Sequence, residues 1–385
     1  MLSEKSRPVI EATLPLVGSR IGEITTDFYN RLFAAHPELL DGLFSRSNQR
    51  SGEQQKALAG SIAAFATHLV NNPATLPEKV LSRIAHKHAS LGIVKEQYGV
   101  VYEHLFAAIA ADLADVITPE IAEAWTEVYW LMADALIKLE KDLYASQANN
   151  RMWMPWRVVA KDAAGKDAIT FTLEPADDTP VTEATPGQYV SVKVTLADGL
   201  RQVRQYSLSG DAGTKRVFTT KLNDGGEVSI ALHAAVEPGD ILEISNPYGE
   251  ITLKDGDGPV ILASAGIGCT PTASILRSLA ESGTDRQVMV LHAEKAMDHW
   301  ALSGQMTEDA AKIDAELRLW LETPHAGAND GFMSLREVDL PADASLYLCG
   351  PLPFMKKIRD EAIDAGIPAT RIHYEVFGPD AWLAS

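Results

Sequence analysis

Cysteine is almost missing from this chain. Two thiols in 385 residues, Cys269 and Cys349, cannot build a disulfide framework or a four-thiolate metal centre. Their scarcity points to a reducing, cytoplasmic compartment. Long apolar runs are missing too: no uninterrupted stretch reaches the ~18 residues of a membrane span. The first residues, MLSEKSRPVIEATLPLVG, include acids and lack the apolar core of a signal peptide. Basic charge is in deficit. Lys and Arg number 34 against 52 Asp and Glu, a net charge of −18. That balance works against nucleic-acid or anionic-membrane partners, while leaving room for a local basic groove around a nucleotide. The remainder, 46% hydrophobic and 22% charged, describes an ordinary globular protein. A chain of this length is long for one core and should divide into two or three domains.

Up to residue 148 the pattern is helical. Apolar residues recur at three- and four-residue spacing in Ile21, Ile24, Phe28, Leu32 and Phe33, and again in Leu58, Ile62, Phe65 and Leu69. Breaks at Pro37, Ser51-Gly52, Asn72-Pro73, Pro77, Gly92 and Thr118-Pro119 cut the segment into about six to eight helices. An all-α unit of this size is either a plain bundle or the enclosure of a cofactor. One helical run, LSRIAHKHASL, carries His86 and His88. Residues two apart on a helix point in different directions, so one site does not readily use both. Neutral imidazole is the commonest metal ligand, and a single His holds the iron in globins.

The texture changes at Met152. From Trp156 to about Leu253 run the short β-rich segments RVVAKD, AITFTLEP, GQYVSVKVTL, RQYSLSG, RVFTTKL, EVSIALH, DILEIS and EITL, separated by turns such as Asp198-Gly199 and Pro238-Gly239. Strands at this spacing predict a small antiparallel barrel over 152–254. After Gly258 the continuous apolar run PVILASAG reads as a strand buried on both faces. Helical and strand-like segments then alternate to the end, the signature of a doubly wound nucleotide-binding domain over 258–385. The expected architecture is therefore multidomain: all-α over 1–148, antiparallel β-barrel, then α/β of Rossmann type.

The chemistry-bearing motifs lie mostly in the last two regions. The strand ending at Ala265 turns through Gly266-Ile267-Gly268-Cys269-Thr270-Pro271 straight into a helix. Glycines there let backbone approach a pyrophosphate, whose charge the helix N-terminus meets. Arg204-Gln205-Tyr206-Ser207 sits on a barrel strand, Pro186-Gly187-Gln188-Tyr189 lies one strand earlier, and Gly225-Gly226-Glu227-Val228-Ser229 follows. With Cys349-Gly350-Pro351 and Glu375-Val376-Phe377-Gly378, this order resembles the ferredoxin–NADP reductase family. The resemblance implies FAD on the barrel and NADH or NADPH on the last domain. It places Tyr206 against the isoalloxazine, Ser207 near its reactive N5, Arg204 and the amides of Gly226, Val228 and Ser229 at the FAD phosphates, and Phe377 near the flavin. Tyr189, Gln205, Val376 and Gly378 complete the flavin motifs. Gly266, Gly268, Cys269, Thr270 and Pro271, with Cys349, Gly350 and Pro351, would flank the nicotinamide nucleotide. Cys269 stands where that family often has Gln, and Ile230-Ala231 after Ser229 is less polar than its pattern. The stretch Glu294 to His299 offers one cation and two acids where a 2′-phosphate would be read, which leaves NADH and NADPH both open.

The whole chain resembles the bacterial flavohaemoglobins, a globin fused to that reductase module. The globin half carries the likeness at Phe28-Tyr29, Asn30 to Pro37, Ser47-Asn48-Gln49-Arg50 to Gln54, Lys87-His88, Glu96-Gln97-Tyr98, Glu103-His104-Leu105 and Trp125. By that resemblance His88 is the iron ligand of haem b, and His86 is left facing solvent. Tyr98 and Glu140 support His88. Tyr29 and Gln54 hydrogen-bond dioxygen, Phe44 and Leu58 close the distal pocket, and Lys87 faces the flavin domain. A carboxylate behind a His ligand raises its basicity, and more electron density at iron favours O–O activation over reversible carriage. The resemblance implies a cytoplasmic, monomeric nitric oxide dioxygenase acting on O2, NO and NAD(P)H, and it allows a lipid in the distal pocket. Two other classes stay open on the residues: a haem-dependent reductase of alkyl or lipid hydroperoxides, and an oxygen store or redox sensor.

Overall fold

The computed structural model describes residues 1–210, 213–341 and 343–378. Residues 379–385, the end of the expected third domain, lie outside that range. Two compact units emerge: Met1–Met152 with Thr195–Val203 and Gly378, and Trp153–Val194 with Arg204–Phe377.

The first unit is helical: α1 (Ser6–Ala35), α2 (Arg46–Ser51), α3 (Glu53–Asn71), α4 (Glu78–Leu91), α5 (Lys95–Asp112) and α6 (Pro119–Ala145). The expected punctuation is where the helices end or begin. Gly52 and Gly92 close α2 and α4 in the left-handed region at φ +73° and +76°, a conformation glycine takes without Cβ strain. Ser45 caps α2 by accepting from the Asn48 amide at 3.2 Å. Thr118 caps α6, with Pro119 in the first turn, where no amide is needed. Along α1, Ile10, Val17, Ile24, Phe28 and Leu32 are buried at spacings of seven and four, one stripe of the helix. On α6 the stripe runs Trp125, Val128, Leu136 and then Glu140, so a carboxylate occupies a position the pattern reserves for an apolar side chain.

After the helices, β1 (Met154–Gly165), β2 (Ala168–Pro175), β3 (Tyr189–Thr195), β4 (Arg201–Ser207), β5 (Arg216–Lys221) and β6 (Ile241–Ile244) form a sheet in the order β4-β3-β6-β1-β2-β5. Its edges meet where Leu208, just past β4, bridges Phe218 of β5 antiparallel, which turns the sheet back on itself as a barrel does. Two of the expected strands are not strands. EVSIALH lies in α7 (Glu227–Ala235), because the buried positions are Val228, Ser229 and Leu232, a helical set, while Ile230 is 45% exposed. EITL takes no regular structure.

The last region is doubly wound: β7 (Val260–Ala265), α8 (Cys269–Ser282), β8 (Val288–Glu294), α9 (Ser303–Lys312), β9 (Glu316–Leu321), β10 (Asn329–Asp330), β11 (Ser345–Cys349), α10 (Leu352–Asp364) and β12 (Ile372–Glu375). All strand pairs are parallel, in the order β10-β9-β8-β7-β11-β12. The direction of winding reverses between β7 and β11, and sheets of this kind bind ligands beyond the carboxyl ends of the strands at such a point. No helix among the described residues is long and apolar enough to cross a membrane.

Candidate functional site

In the helical unit, α4, α5 and α6 bring three polar side chains together. His88 Nδ1 lies 2.8 Å from Glu140 Oε1, and the Tyr98 hydroxyl donates to that same oxygen at 2.6 Å. Nδ1 also lies 3.0 Å from the Tyr98 hydroxyl. The Glu140 side chain is 3% exposed and the His88 side chain 33%. Burial first, and then the Glu140 charge, push the Tyr98 phenol far above its ordinary value, so it stays protonated and donates. A carboxylate oxygen only accepts, so the His88 hydrogen sits on Nδ1 and Nε2 keeps its lone pair. Both hydrogen bonds of the ring go through Nδ1, which is the support a metal-bound imidazole requires. Among the described residues no three His, Cys, Asp or Glu side chains are grouped to hold a bare metal ion. A porphyrin iron asks only for one axial imidazole, and His88 fits that need. His86 is half-buried rather than solvent-facing. Lys87 donates to the Gly378 carbonyl at 2.8 Å.

On the expected distal side, Tyr29 is 5% exposed and hydrogen-bonds with Gln54. Burial raises the Tyr29 phenol, which keeps a hydroxyl donor at neutral pH. The Tyr29 ring meets Phe44 edge-on at 5.9 Å and stacks on Phe33 at 5.7 Å, and half-buried Leu58 packs against the same core. Tyr29 is thus linked to Phe44 through its ring and to Gln54 through its hydroxyl, while Leu58 belongs to the core of the same helical unit.

In the barrel, Tyr206 stacks on Phe218 at 5.2 Å and 14°, and Phe218 on Phe171 at 5.5 Å, so the Tyr206 ring is held from behind. The next residue, Ser207, is 4% exposed and its hydroxyl has no hydrogen-bond partner. A buried orphan hydroxyl is costly unless a ligand satisfies it, and one beside a presented aromatic face suits a flavin ring. Gln205 donates to the Ser191 hydroxyl at 2.9 Å, and Tyr189 pairs its backbone with Tyr248. Burial lowers the Arg204 guanidinium, with Tyr206 and Glu227 acting in the other direction. Gly226 opens α7, where a side chain would strike the Ser229 hydroxyl at 2.8 Å. That hydroxyl donates to the Gly226 carbonyl at 3.0 Å and accepts from the Asn223 amide at 3.1 Å. Ser229 therefore shapes the turn and Val228 is core; the Gly226 amide is taken by the Asn223 carbonyl at 2.8 Å, and the N-terminal end of α7 that follows has the polarity that suits a phosphate. Phe377 is 45% exposed, a ring available for stacking rather than a core aromatic, and Val376 beside it is half-buried.

At the winding reversal, Gly266 takes φ +56° and Gly268 packs on the end of β11 so tightly that a Cβ would lie 2.5 Å from the Cys349 carbonyl oxygen. Gly350 is similarly pressed, with the Phe354 ring 2.8 Å from its would-be Cβ. Thr270 donates to the Ile267 carbonyl at 3.1 Å, Pro271 fills the first turn of α8, and Pro351 caps α10. Cys269 does not face a nucleotide as the sequence suggests. It is fully buried, donates to the Ala301 carbonyl at 3.3 Å, and burial pushes its thiol up to about 12, so it is a packing residue. Cys349 stands in register with Glu375, and burial and that carboxylate hold its thiol well above the ordinary value. The sequence marks Glu375 only as part of a motif; the β11–β12 register gives it a place beside Cys349. Glu294, read from the sequence as one of two acids in the stretch where a 2′-phosphate would be met, is the buried end of the apolar strand β8.

Comparison with known proteins follows the same division. Globin matches residues 26–136, Oxidoreductase FAD-binding domain residues 155–253, and Oxidoreductase NAD-binding domain residues 262–360. Flavohemoproteins of Chromobacterium violaceum and Halalkalibacterium halodurans are 39% and 38% identical, over 98% and 100% of this chain and 98% of each relative. The crystal structure of flavohemoglobin from Malassezia yamatoensis, with bound FAD and heme, is 44% identical, with a TM-score of 0.94 over 98% of this chain and 100% of that one. The flavohem-like FAD/NAD-binding domain of nitric oxide dioxygenase from Vibrio cholerae is 32% identical, with a TM-score of 0.57 over 60% of this chain and 100% of that one. The protein is an oxidoreductase, and the chain belongs to the flavohemoprotein family.

Proposed function

We propose that this flavohemoprotein is a nitric oxide dioxygenase holding haem b and FAD. Two NO and two O2 are consumed per NAD(P)H, giving two nitrate, NAD(P)+ and one proton. When bound, FAD parts the hydride's electron pair into single electrons and the haem iron uses them to let O2 react with NO. The rest falls to this chain's side chains. Nε2 of His88 would hold the iron, and the shared oxygen of Glu140 fixes the ring and its tautomer through Nδ1. Tyr98, kept protonated, steadies that oxygen from the other side. Tyr29 and Gln54 would orient small ligands within walls formed by Phe44 and Leu58. Tyr206 and the Ser207 hydroxyl would seat the isoalloxazine, Arg204 and the first turn of α7 the FAD phosphates, and the Gly266–Pro271 turn the incoming dinucleotide. On this reading the haem domain ends near residue 148, and the FAD and NAD(P) domains divide near residues 254–258. Both cysteines are free thiols, in keeping with a cytoplasmic site of action as a monomer.

The observation that supports dioxygenation over simple carriage is the buried Glu140 carboxylate on His88 Nδ1, which makes the imidazole a stronger donor. The test is NO consumption by the purified protein with NADH or NADPH, in the presence and absence of O2. Rapid loss of NO that requires O2 and yields nitrate is expected. Slow NO turnover alongside NAD(P)H oxidation stimulated by an organic hydroperoxide would contradict the proposal.

A further inference from the structure

Gln202, on β4, is 1% exposed, and both ends of its amide are bonded. Nε2 donates to the Leu40 and Arg201 carbonyls, each at 3.0 Å, and Oε1 accepts from the Arg46 amide at 3.1 Å. Its neighbour Arg201 forks onto the Asp41 carboxylate, with Nη2 2.7 Å from Oδ2 and Nε 3.2 Å from each oxygen. The Gly42 amide, at φ +85°, donates to the Arg201 carbonyl at 2.9 Å, and the Arg201 amide donates to Asp41 Oδ1 at 2.8 Å. At the turn of the same hairpin, Asp198 accepts from Arg46 at 2.8 Å. The loop from Leu40 to Arg46 is thus held at both ends by the β3–β4 hairpin, which places Thr195–Val203 in the first unit. Partly exposed ion pairs contribute little alone. The buried Gln202 amide carries more, because its loss would strip a bond from both the Leu40 carbonyl and the Arg46 amide.

Phe44 lies in the middle of that loop. Its ring meets Tyr29 edge-on at 5.9 Å and Phe33 at 5.3 Å, and its amide donates to the Leu39 carbonyl at 3.1 Å. Ser45, next to it, caps α2. β4 itself continues without a break from Arg201 to Ser207. Strand alternation puts Gln202, Arg204 and Tyr206 on one face. One strand therefore carries the grip on the Phe44 loop at its start and the proposed flavin seat at its end.

We infer that Gln202 and Arg201 are positioning residues for the haem pocket: they set Phe44 against Tyr29, and through β4 they couple the seating of FAD to ligand binding at the iron. FAD on Arg204, Tyr206 and Ser207 fixes the strand, the strand fixes the loop, and the loop places the Phe44 wall beside the Tyr29 hydroxyl. Order imposed by one ligand need not be imposed again by the second, so the coupling is positive. It is also reciprocal, so a ligand on the iron tightens FAD by the same factor. The inference rests on FAD and haem occupying the sites proposed above.

The test uses the full-length, haem-loaded protein, reduced with dithionite, with and without FAD, and CO as the probe. CO affinity, taken from association and dissociation rates, should be about fivefold tighter with FAD, and CO should tighten FAD by the same factor. Gln202→Met keeps the length, removes the amide and should abolish both effects while the Soret and flavin bands stay normal. Asp41→Asn, on the surface of the loop, should reduce both by less, and it serves if Gln202→Met does not fold. Support of a purely structural kind would change CO affinity equally with and without FAD, and that result would overturn the inference. Equal CO affinity of the wild type in both states, or full coupling in the folded variants, would overturn it as well. A wild type that holds no FAD or no haem would remove the proposed function and this inference together; one that holds both and shows no coupling removes the inference alone.

Discussion

Nδ1 of His88 and Oε1 of Glu140 lie 2.8 Å apart, although 52 residues separate them in the chain. The contact joins the last turn of α4 to a position on the buried stripe of α6. Glu140→Gln keeps the size of the side chain and removes its charge. With haem bound, the iron–imidazole stretching frequency should fall, and turnover should drop roughly 10–100-fold, as for other carboxylates behind a ligating His. Tyr98→Phe should move both in the same direction by less. An unaltered stretching frequency in Glu140→Gln would show that the carboxylate does not tune the ring.

His88→Ala should yield a protein that keeps FAD and loses the normal haem spectrum. Everything the reductase needs lies on other elements, so flavin reduction by NAD(P)H should persist. A native-like Soret band in this variant would move the iron ligand to His86 or elsewhere.

Tyr29→Phe removes a buried hydroxyl donor while keeping the ring that Phe33 and Phe44 pack against. Loss of one hydrogen bond costs about 1 kcal/mol, so O2 should leave the reduced protein roughly fivefold faster. Stopped-flow release kinetics measure this directly, and an unchanged rate would remove Tyr29 from ligand binding.

Gly268→Ala places a methyl group 2.5 Å from the Cys349 carbonyl oxygen, against backbone that has nowhere to go. The end of β11 must shift. The unfolding midpoint of the reductase unit should drop, with a loss of about 1–3 kcal/mol, and hydride transfer to the flavin should slow. Full stability and unchanged hydride transfer would mean that the turn and β11 are less closely coupled than their packing implies.

His292 is fully buried, bonded to Ser264 at 2.9 Å and stacked on Trp300 at 5.1 Å. Burial pushes its imidazole down to about 3 from an ordinary 6.5. The folded chain therefore holds it neutral, and unfolding below pH 6.5 takes up a proton. Stability from this group is fully present above that pH and is lost as pH falls, by up to about 1.4 kcal/mol per pH unit. In urea titrations below pH 6.5, His292→Gln should show a pH dependence shallower by about one proton. An identical slope would mean that His292 is charged in the fold.

Much of the fold is legible because its signals are local. Gly52, Gly92 and Pro119 mark helix ends through φ and a missing amide, and the apolar run of β7 announces a strand buried on both faces. The segment at Glu227 misleads for an equally local reason. Val228, Ile230 and Leu232 alternate as a strand would, and only the exposure of Ile230 reveals the helical period. The site is less legible, since its contacts are long-range. Nothing near Glu140 in the chain names His88 as its partner; resemblance to a family supplies that pairing. A single acid in an apolar helical stripe is the physical trace it leaves. Cys269 shows the converse: its motif position suggests a nucleotide contact, while packing against Ala301 decides its environment.

The central claim is that one chain carries electrons from a nicotinamide nucleotide through a flavin to a haem iron. An anaerobic absorption titration of the purified, full-length protein with NADH tests it most directly. Flavin and Soret bands should appear together, and NADH should bleach the first and shift the second to its ferrous position. A colourless protein, or a yellow one with no Soret band after haem has been supplied, would contradict the account.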